Sequence, residues 1–341
     1  MIAYSFAGKH LEEGIRRFDM RRDLAQLADL IEVAFESELE RTGNRIVTEM
    51  RQLSRVAPLL WLSAAGQSTF PGALGGYVWV EAGQLVGNVS LSTTSIRRGV
   101  WVISNVAVHP EYRSSGIAEQ LMQATLRQAR DENIGLVILE VQQSNLPAQR
   151  LYRRLGFEVY DTIAELSLPA EQAGYLMMQA IPSLRRRRAE DSKSLHLLFR
   201  AATPRRAQQV KPVCAQDYSP GIDRRLERWL DDLVHLRRRA ERIIEQDGAI
   251  VALLGIVGQY ALGMHRLEIT VHPGVRGRLE RQLVSAGLDW LRRFPRRRVQ
   301  AKVSTSHGEA LRAYRRAGFR EVRVLDQMRL CLKRKERRAE S

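Results

Sequence analysis

The sequence predicts an α/β protein made of two copies of one unit in tandem. Three observations carry that expectation. The chain has 341 residues, too many for one ordinary hydrophobic core and suited to two domains. Val106-Ala-Val-His-Pro110 reappears as Ile269-Thr-Val-His-Pro273, and Leu151-Tyr-Arg-Arg-Leu-Gly-Phe157 reappears as Ala313-Tyr-Arg-Arg-Ala-Gly-Phe319. The two motifs keep their separation: Tyr152 follows His109 by 43 positions, and Tyr314 follows His272 by 42. Strand-like runs precede and follow helical ones, so each sheet should be mixed, with helices on both faces. The expected organisation is a first domain over 1–183, an arginine-rich linker over 184–194 around Arg185–Arg188, and a second domain over 195–335.

The elements of the first copy follow from pattern. Ile15–Asp19 reads as an edge strand. Leu24, Leu27, Ile31 and Phe35 recur at helical spacing, which predicts a helix over Leu24–Glu40. Gly76–Glu81 and Leu85–Thr93 form a hairpin around Ala82-Gly83-Gln84. Trp101–Val108 is a β-rich run ending at His109-Pro110. Ala118, Leu121, Met122, Thr125 and Ala129 share one face of a helix over Gly116–Arg130. Leu136–Val141 is a buried strand, Pro147–Leu155 a helix stopped by Gly156, and Tyr175–Ile181 a last strand.

The chemistry starts at Val106-Ala-Val-His-Pro-Glu-Tyr-Arg-Ser-Ser-Gly-Ile-Ala118. Here a strand ends, a short loop turns and a helix begins near Gly116. Backbone N–H groups at a helix start have no intrahelical partner, and with the helix dipole they form an anion site. Gly116 permits close approach of a phosphate, Ser114 and Ser115 offer hydroxyl donors, and Arg113 offers a positive charge. Neither a G-x-G-x-x-G nor a Walker loop is present. A plain strand–loop–helix turn is the other reading of these residues alone.

Val108-His-Pro110 followed by Arg113–Ala118 resembles the phosphate loop of the GNAT acyl-CoA N-acyltransferases, which reads Arg/Gln-x-x-Gly-x-Gly/Ala after a strand ending in Val-x-Pro. The resemblance implies two tandem GNAT-like domains, each a mixed, mostly antiparallel twisted sheet with helices on both faces. It implies that Arg113, Ser114, Ser115, Gly116, Ile117 and Ala118 hold the pyrophosphate of acetyl-CoA, the co-substrate. It also implies that Val106, Ala107 and Val108 offer backbone groups to the pantetheine arm and the thioester carbonyl. An unpaired N–H on a splayed or bulged strand suits an oxyanion.

A second match is Leu139-Glu-Val-Gln-Gln-Ser-Asn-Leu-Pro-Ala-Gln-Arg-Leu-Tyr-Arg-Arg-Leu-Gly-Phe157, similar in particular to the ribosomal-protein alanine N-acetyltransferases. That resemblance makes Glu140 the base and Tyr152 the acid, with Asn145 on the coenzyme arm. The residue types suit the reaction. A primary amine is mostly protonated at neutral pH and needs a base before it attacks. A departing thiolate needs a donor, and a tyrosine hydroxyl of pKa about 10 is matched to it. From the residues alone, Glu140 is also readable as a strand carboxylate paired with an arginine, Tyr152 as a core tyrosine and Asn145 as a helix cap. The expected activity is acetyl transfer to a primary amine, on a small molecule, a protein N-terminus or a lysine. The alternative is an acyl-CoA sensor or an anion-binding module without chemistry.

The second copy keeps the frame and changes the chemistry. Val275-Arg-Gly-Arg-Leu-Glu280 lacks the Gly-x-Ala helix start, Lys302 stands where Glu140 does, and His307 stands where Asn145 does. Tyr314 is kept. This half is expected to have lost catalysis.

Bulk properties bound the rest. Residues 1–180 hold 17 Lys/Arg against 20 Asp/Glu, a balance of −3, which leaves 37 against 18, or +19, in residues 181–341. Such a half suits an anionic partner or is a solvated arginine-rich surface. An apolar fraction of 44% and a mean hydropathy of −0.29 are ordinary for a globular protein. Ala249–Gly263 is the longest apolar stretch, too short for a membrane span and broken by Gln259; its Gly255 and Gly258 suggest paired strands. Met1–Gly14 does not read as a secretory signal. Cys214 and Cys331 have neither metal-ligand nor redox spacing, so no metal is expected and the expected compartment is the cytoplasm.

Overall fold

The computed structural model describes residues 13–35, 75–93, 99–172, 184–218, 231–232, 234–261 and 263–332. They fall into two compact units. One comprises the described residues of 1–140, 154–157 and 329–332; the other comprises those of 141–153 and 158–328.

In the first unit the sheet runs β1 (Gly14–Arg17), β2 (Gly75–Glu81), β3 (Gln84–Thr93), β4 (Val100–Val108), then β5 (Leu136–Gln142) up to Glu140. β1 to β4 are successively antiparallel, and β4 with β5 is parallel, so the sheet is mixed as expected. The β2–β3 turn has positive φ at both Ala82 (48°) and Gly83 (77°), the two-residue turn whose twist matches the strands. Helix α1 (Met20–Ala34) starts one turn earlier than its apolar pattern, because the buried Asp23 carboxylate accepts from the Asp19 N–H at 2.8 Å and pairs with Arg16. The stretch expected to extend that helix past residue 35 lies outside the described residues. α1 packs Leu30 on Val78, Val80, Leu85 and Ala107. Helix α2 (Ile117–Asp131) lies on the opposite face, against Trp79 and Gly87. A Cβ on Gly87 would sit 2.7 Å from the Ile117 side chain and 3.1 Å from Leu121, so the glycine lets α2 dock.

The second unit takes in helix α3 (Leu146–Arg154) as far as Arg153, and strand β6 (Glu158–Leu168). Both belong to the first copy in sequence. β6 pairs antiparallel with β11 (Val299–Ser304) of the second copy, from Leu168↔Val299 to Ile163↔Ser304. The order is β12 (Arg320–Cys331)-β6-β11-β10 (His265–Val271)-β9 (Ala249–Gln259)-β8 (Arg237–Gln246)-β7 (Leu184–Arg186). Alternation sets the faces. Ala164, Leu166 and Leu168 of β6 join Leu254, Leu267, Val299 and Ala301 under helix α6 (Glu280–Leu291) and helix α7 (Gly308–Arg316). Helix α4 (Ser192–Ala202) covers the other face, where Leu195 and Leu198 meet Ile243 and Ile250; helix α5 (Arg205–Val210) follows it.

Two local expectations change. The apolar stretch with Gly255 and Gly258 is one strand, β9, paired on both sides. The arginine run is no solvated tether. Leu184–Arg186 is an edge strand, Arg185 bonds Asp191 and Glu245, and Arg187 bonds Glu241 and the Tyr218 carbonyl. The expected strand at Tyr175–Ile181 lies outside the described residues. The pattern reading also passed over β6, which alternates weakly.

Candidate active site

The loop of the first copy is built from backbone. Pro110–Tyr112 makes one 3-10 turn, Ser114 and Gly116 have φ of 67° and 84°, and α2 begins at Ile117. Gly116 is the left-handed N-cap and accepts from the Gln120 N–H at 3.1 Å, and no side chain caps the helix. The N–H groups of Ile117, Ala118 and Glu119 therefore precede the first intrahelical bond, an arrangement suited to an anion. The side chains serve the loop. Arg113 donates to the Ala34 carbonyl at the end of α1 at 3.1 Å and to the Val108 carbonyl at 3.4 Å. Ser115 donates to the Tyr112 carbonyl at 2.5 Å. Arg113 thus anchors the loop to the last carbonyl of α1, besides bringing charge.

β4 carries a bulge that pattern reading did not find. Ser90 pairs with Ser104 and Asn88 with Ala107, so Asn105 and Val106 both stand opposite Val89. Asn105 takes φ of 48°, which asparagine tolerates better than most residues. The buried Asn88 holds it there, donating to the Asn105 carbonyl at 2.9 Å and to Ser90 Oγ at 3.0 Å. The parallel pairing of β4 with β5 ends at Ile103↔Leu139. The bulge on one strand and Glu140 on the other therefore begin where the strands stop pairing. Glu140 is exposed between buried Leu139 and Val141. The one signal for this bulge was an asparagine inside a β-rich run.

Asn145 and Tyr152 belong to the second unit. Asn145 Oδ1 accepts from the Ala148 N–H at 3.1 Å, so its oxygen caps α3 and its Nδ2 donor is left for another partner. Tyr152 is buried, and burial pushes its hydroxyl well above the ordinary tyrosine range, so it stays protonated at neutral pH.

The corresponding places in the second copy are occupied by the chain's own groups. β10 pairs with β9 in unbroken register from Arg266↔Val257 to Val271↔Ala252, without a bulge. Gly277 is again left-handed, at 85°, but its N–H donates to the buried Glu280 carboxylate at 2.8 Å. The protein's own anion sits at the start of α6. Arg276 repeats the anchor of Arg113, reaching the Ala202 carbonyl at the end of α4 at 3.1 Å. His307 bonds the same carbonyl at 3.0 Å, and burial followed by the charge of Arg276 lowers its pKa. Lys302 is spent on buried Glu165 at 2.6 Å. The Tyr314 hydroxyl donates to the Leu267 carbonyl of β10 at 3.0 Å.

These observations define a two-copy α/β protein in which the loop before α2 lies beside a bulged strand and the loop before α6 does not. Residues 34–157 match the model of the acetyltransferase (GNAT) family. Over 66 residues the chain is 33% identical to a putative [ribosomal protein bS18]-alanine N-acetyltransferase of Bacillus subtilis, covering 18% of this chain and 44% of that protein. Over 107 residues it is 32% identical to an N-alpha-acetyltransferase of Saccharolobus solfataricus, covering 31% and 62%. Over 57 residues it is 39% identical to a mycothiol acetyltransferase of Thermobifida fusca, covering 17% and 18%. The chain thus spans less than two thirds of the length of each of these relatives. A tandem GNAT protein from the clavulanic acid biosynthesis pathway, solved without acetyl-CoA, shares the fold: TM-score 0.61, 17% identity, 95% of this chain and 100% of that one. So does a GCN5-related N-acetyltransferase of Sphaerobacter thermophilus, with TM-score 0.62, 18% identity, and 94% and 96% covered. Residues 34–157 are thus similar to the GNAT family, and the chain shares the fold of a tandem GNAT protein. Among the described residues no cluster of His, Cys, Asp and Glu is suited to a metal, and no helix is long and apolar enough to cross a membrane.

Proposed function

We propose that the first copy transfers the acetyl group of acetyl-CoA to a primary amine by direct attack. The observation that carries this reading is the contrast between the loops. No side chain caps α2 or α6, but the loop before α2 lies beside a bulged strand, whereas β10 has no bulge and the loop before α6 already has its Gly277 N–H taken by the Glu280 carboxylate. In the proposed reaction Glu140 accepts the ammonium proton, directly or through water. The free amine attacks the thioester carbon, and backbone N–H groups of Val106–Val108 stabilise the oxyanion. The C–S bond breaks as the tetrahedral intermediate collapses, Tyr152 donates its proton to the departing thiolate, and the second proton shed by the nitrogen passes through water to restore the tyrosine hydroxyl. The N–H groups from Ser114 to Ala118 hold the pyrophosphate, and Asn145 Nδ2 holds the pantetheine arm. Much of the acceleration comes from holding amine and thioester together.

The similar proteins include acetyltransferases of a ribosomal-protein alanine and a mycothiol acetyltransferase, so protein and small-molecule acceptors are both tried. A panel of alanine-ended peptides, lysine peptides and small amines, read by thiol release from acetyl-CoA, tests both. Turnover on one class is expected, with Glu140→Gln and Tyr152→Phe each depressing it about 100-fold or more while melting near wild type. Acetyl-CoA binding without thiol release on any amine would leave a sensor instead. Wild-type rates in both variants would remove the assigned roles.

A further inference from the structure

The helix that carries Tyr152 is held by a residue from the far end of the chain. Asp326, on the last strand, is buried, with 5% of its surface exposed. Its Oδ1 accepts from Gln143 Nε2 at 2.9 Å and Thr162 Oγ1 at 2.8 Å, and its Oδ2 accepts from Gln149 Nε2 at 3.3 Å. Gln149 is equally buried, and its Nε2 also reaches the carbonyls of Gln142 and Gln143 at 3.4 and 3.2 Å. The Gln143 N–H donates to the Val324 carbonyl at 2.9 Å, which lays the same turn against β12. The turn from Gln142 to Leu146 is thus strapped twice, from within by Gln149 and from outside by Asp326.

That turn sets two groups of the proposed reaction. Asn145 is inside it, its N–H donating to the Gln142 carbonyl at 3.0 Å and its own carbonyl accepting from the Gln149 N–H at 3.0 Å. Tyr152 lies three residues beyond Gln149, one turn along the same buried face of α3. A carboxylate buried among neutral donors is expensive to desolvate, whereas an apolar residue of that size would fill the space without the cost. What the carboxylate adds is direction: two fixed acceptor oxygens that orient two glutamine amides and a hydroxyl.

We propose that Asp326 is a positioning residue for the first copy's site: supplied by the eroded copy, it holds Gln143 and Gln149 so that Asn145 and Tyr152 keep their places. The inference rests on the acetyl-transfer reading above. It explains what the second copy contributes although its own loop is closed. Strand β12 thereby braces the start of the first copy's signature helix.

The test uses the full chain and steady-state kinetics with acetyl-CoA and the best amine of the panel. Asp326→Ala should lower kcat/KM for acetyl-CoA about 10- to 100-fold, the loss typical of slightly misplaced groups. Asp326→Asn, which keeps one acceptor oxygen, should recover part of it. The loss should be shared between kcat, through Tyr152, and KM, through Asn145. Asp326→Ala and Gln149→Leu combined should lose little more than either alone. Tyr314→Phe, which removes a buried hydrogen bond elsewhere in the same unit, controls for destabilisation and should keep wild-type kcat/KM. If Asp326→Ala does not fold, Asp326→Asn and Thr162→Val decide. Wild-type kcat/KM in the folded Asp326 variants, or additive losses with Gln149→Leu, overturns the inference. A wild-type protein inactive on every amine fails the acetyl-transfer reading itself, which is a separate outcome.

Discussion

Replacing Gly116 by alanine separates the backbone of the loop from everything else in it. The residue sits at φ 84°, ψ −1°, and an added Cβ would meet only Gln120 Nε2, at 3.9 Å. The side chain has room, so the cost is conformational. An L-residue in that region loses about 1–2 kcal/mol, partly offset by about 0.4–1 kcal/mol from a stiffer unfolded chain, for a net loss of about 1 kcal/mol. For a domain of this size that lowers the melting temperature by about 2–4 °C. The functional effect should be larger. The methyl group crowds the phosphate, and relaxation of the backbone turns the N–H groups of the α2 start away. Losing one or two charge-assisted bonds of about 1.5–3 kcal/mol each raises the acetyl-CoA Kd at least about 10-fold. Gly277→Ala is the matched control. Its φ is 85°, but its N–H already faces Glu280, so it should lose similar stability and leave the Kd unchanged. Calorimetric titration with acetyl-CoA and thermal melting of both variants give the comparison. Equal effects of the two substitutions on the Kd, or none from Gly116→Ala, would refute the assignment of the anion site to the first loop.

Tyr314→Phe removes the donor to the buried Leu267 carbonyl and should cost about 1–2 kcal/mol in denaturant unfolding while thiol release stays at the wild-type rate. A fall in rate at unchanged stability would mean that the second copy's tyrosine takes part in the chemistry. Glu165 makes a pH prediction. Burial raises its pKa, but the hydrogen bonds and charges of Arg323 and Lys302 outweigh burial and leave it below the ordinary value. Its contribution is therefore complete above the unfolded-state pKa and is lost as pH falls through the lower folded-state value. The stability gap between wild type and Glu165→Gln should be widest at neutral pH and shrink below about pH 4. A gap that does not change with pH would show that the carboxylate's charge is not what matters.

Much was readable in one dimension because it rests on local rules. The repeat stands in the sequence at two places. The hairpin announces itself through Ala82-Gly83, α2 through its apolar period, and the loop through Gly116 at a strand-to-helix junction. The bulge was not readable, because an extra residue opposite Val89 exists only once β3 and β4 are in register. Its one local sign, Asn105, is common in ordinary turns. The arginine run misled for a related reason. A row of like charges reads as solvated until the carboxylates that face it are known, and Asp191, Glu241 and Glu245 come from different segments.

By itself, then, the sequence determined the two-copy frame, the loop of the first copy and the residue types suited to acetyl transfer, since spacing and turn chemistry act over a few residues. Tertiary structure decided which loop has an N–H taken by the chain's own carboxylate. Glu280 is an unremarkable helix-start glutamate until it folds back onto the Gly277 N–H, and Tyr314 repeats Tyr152 until its hydroxyl is found on Leu267. It also decided how the copies share their parts. β6 leaves its own copy to pair with β11, and Asp326 arrives beside Gln149 across 177 residues of chain. Strand pairing and buried hydrogen bonds are satisfied by whatever the fold brings within 3 Å or so, and no local pattern records who that partner will be.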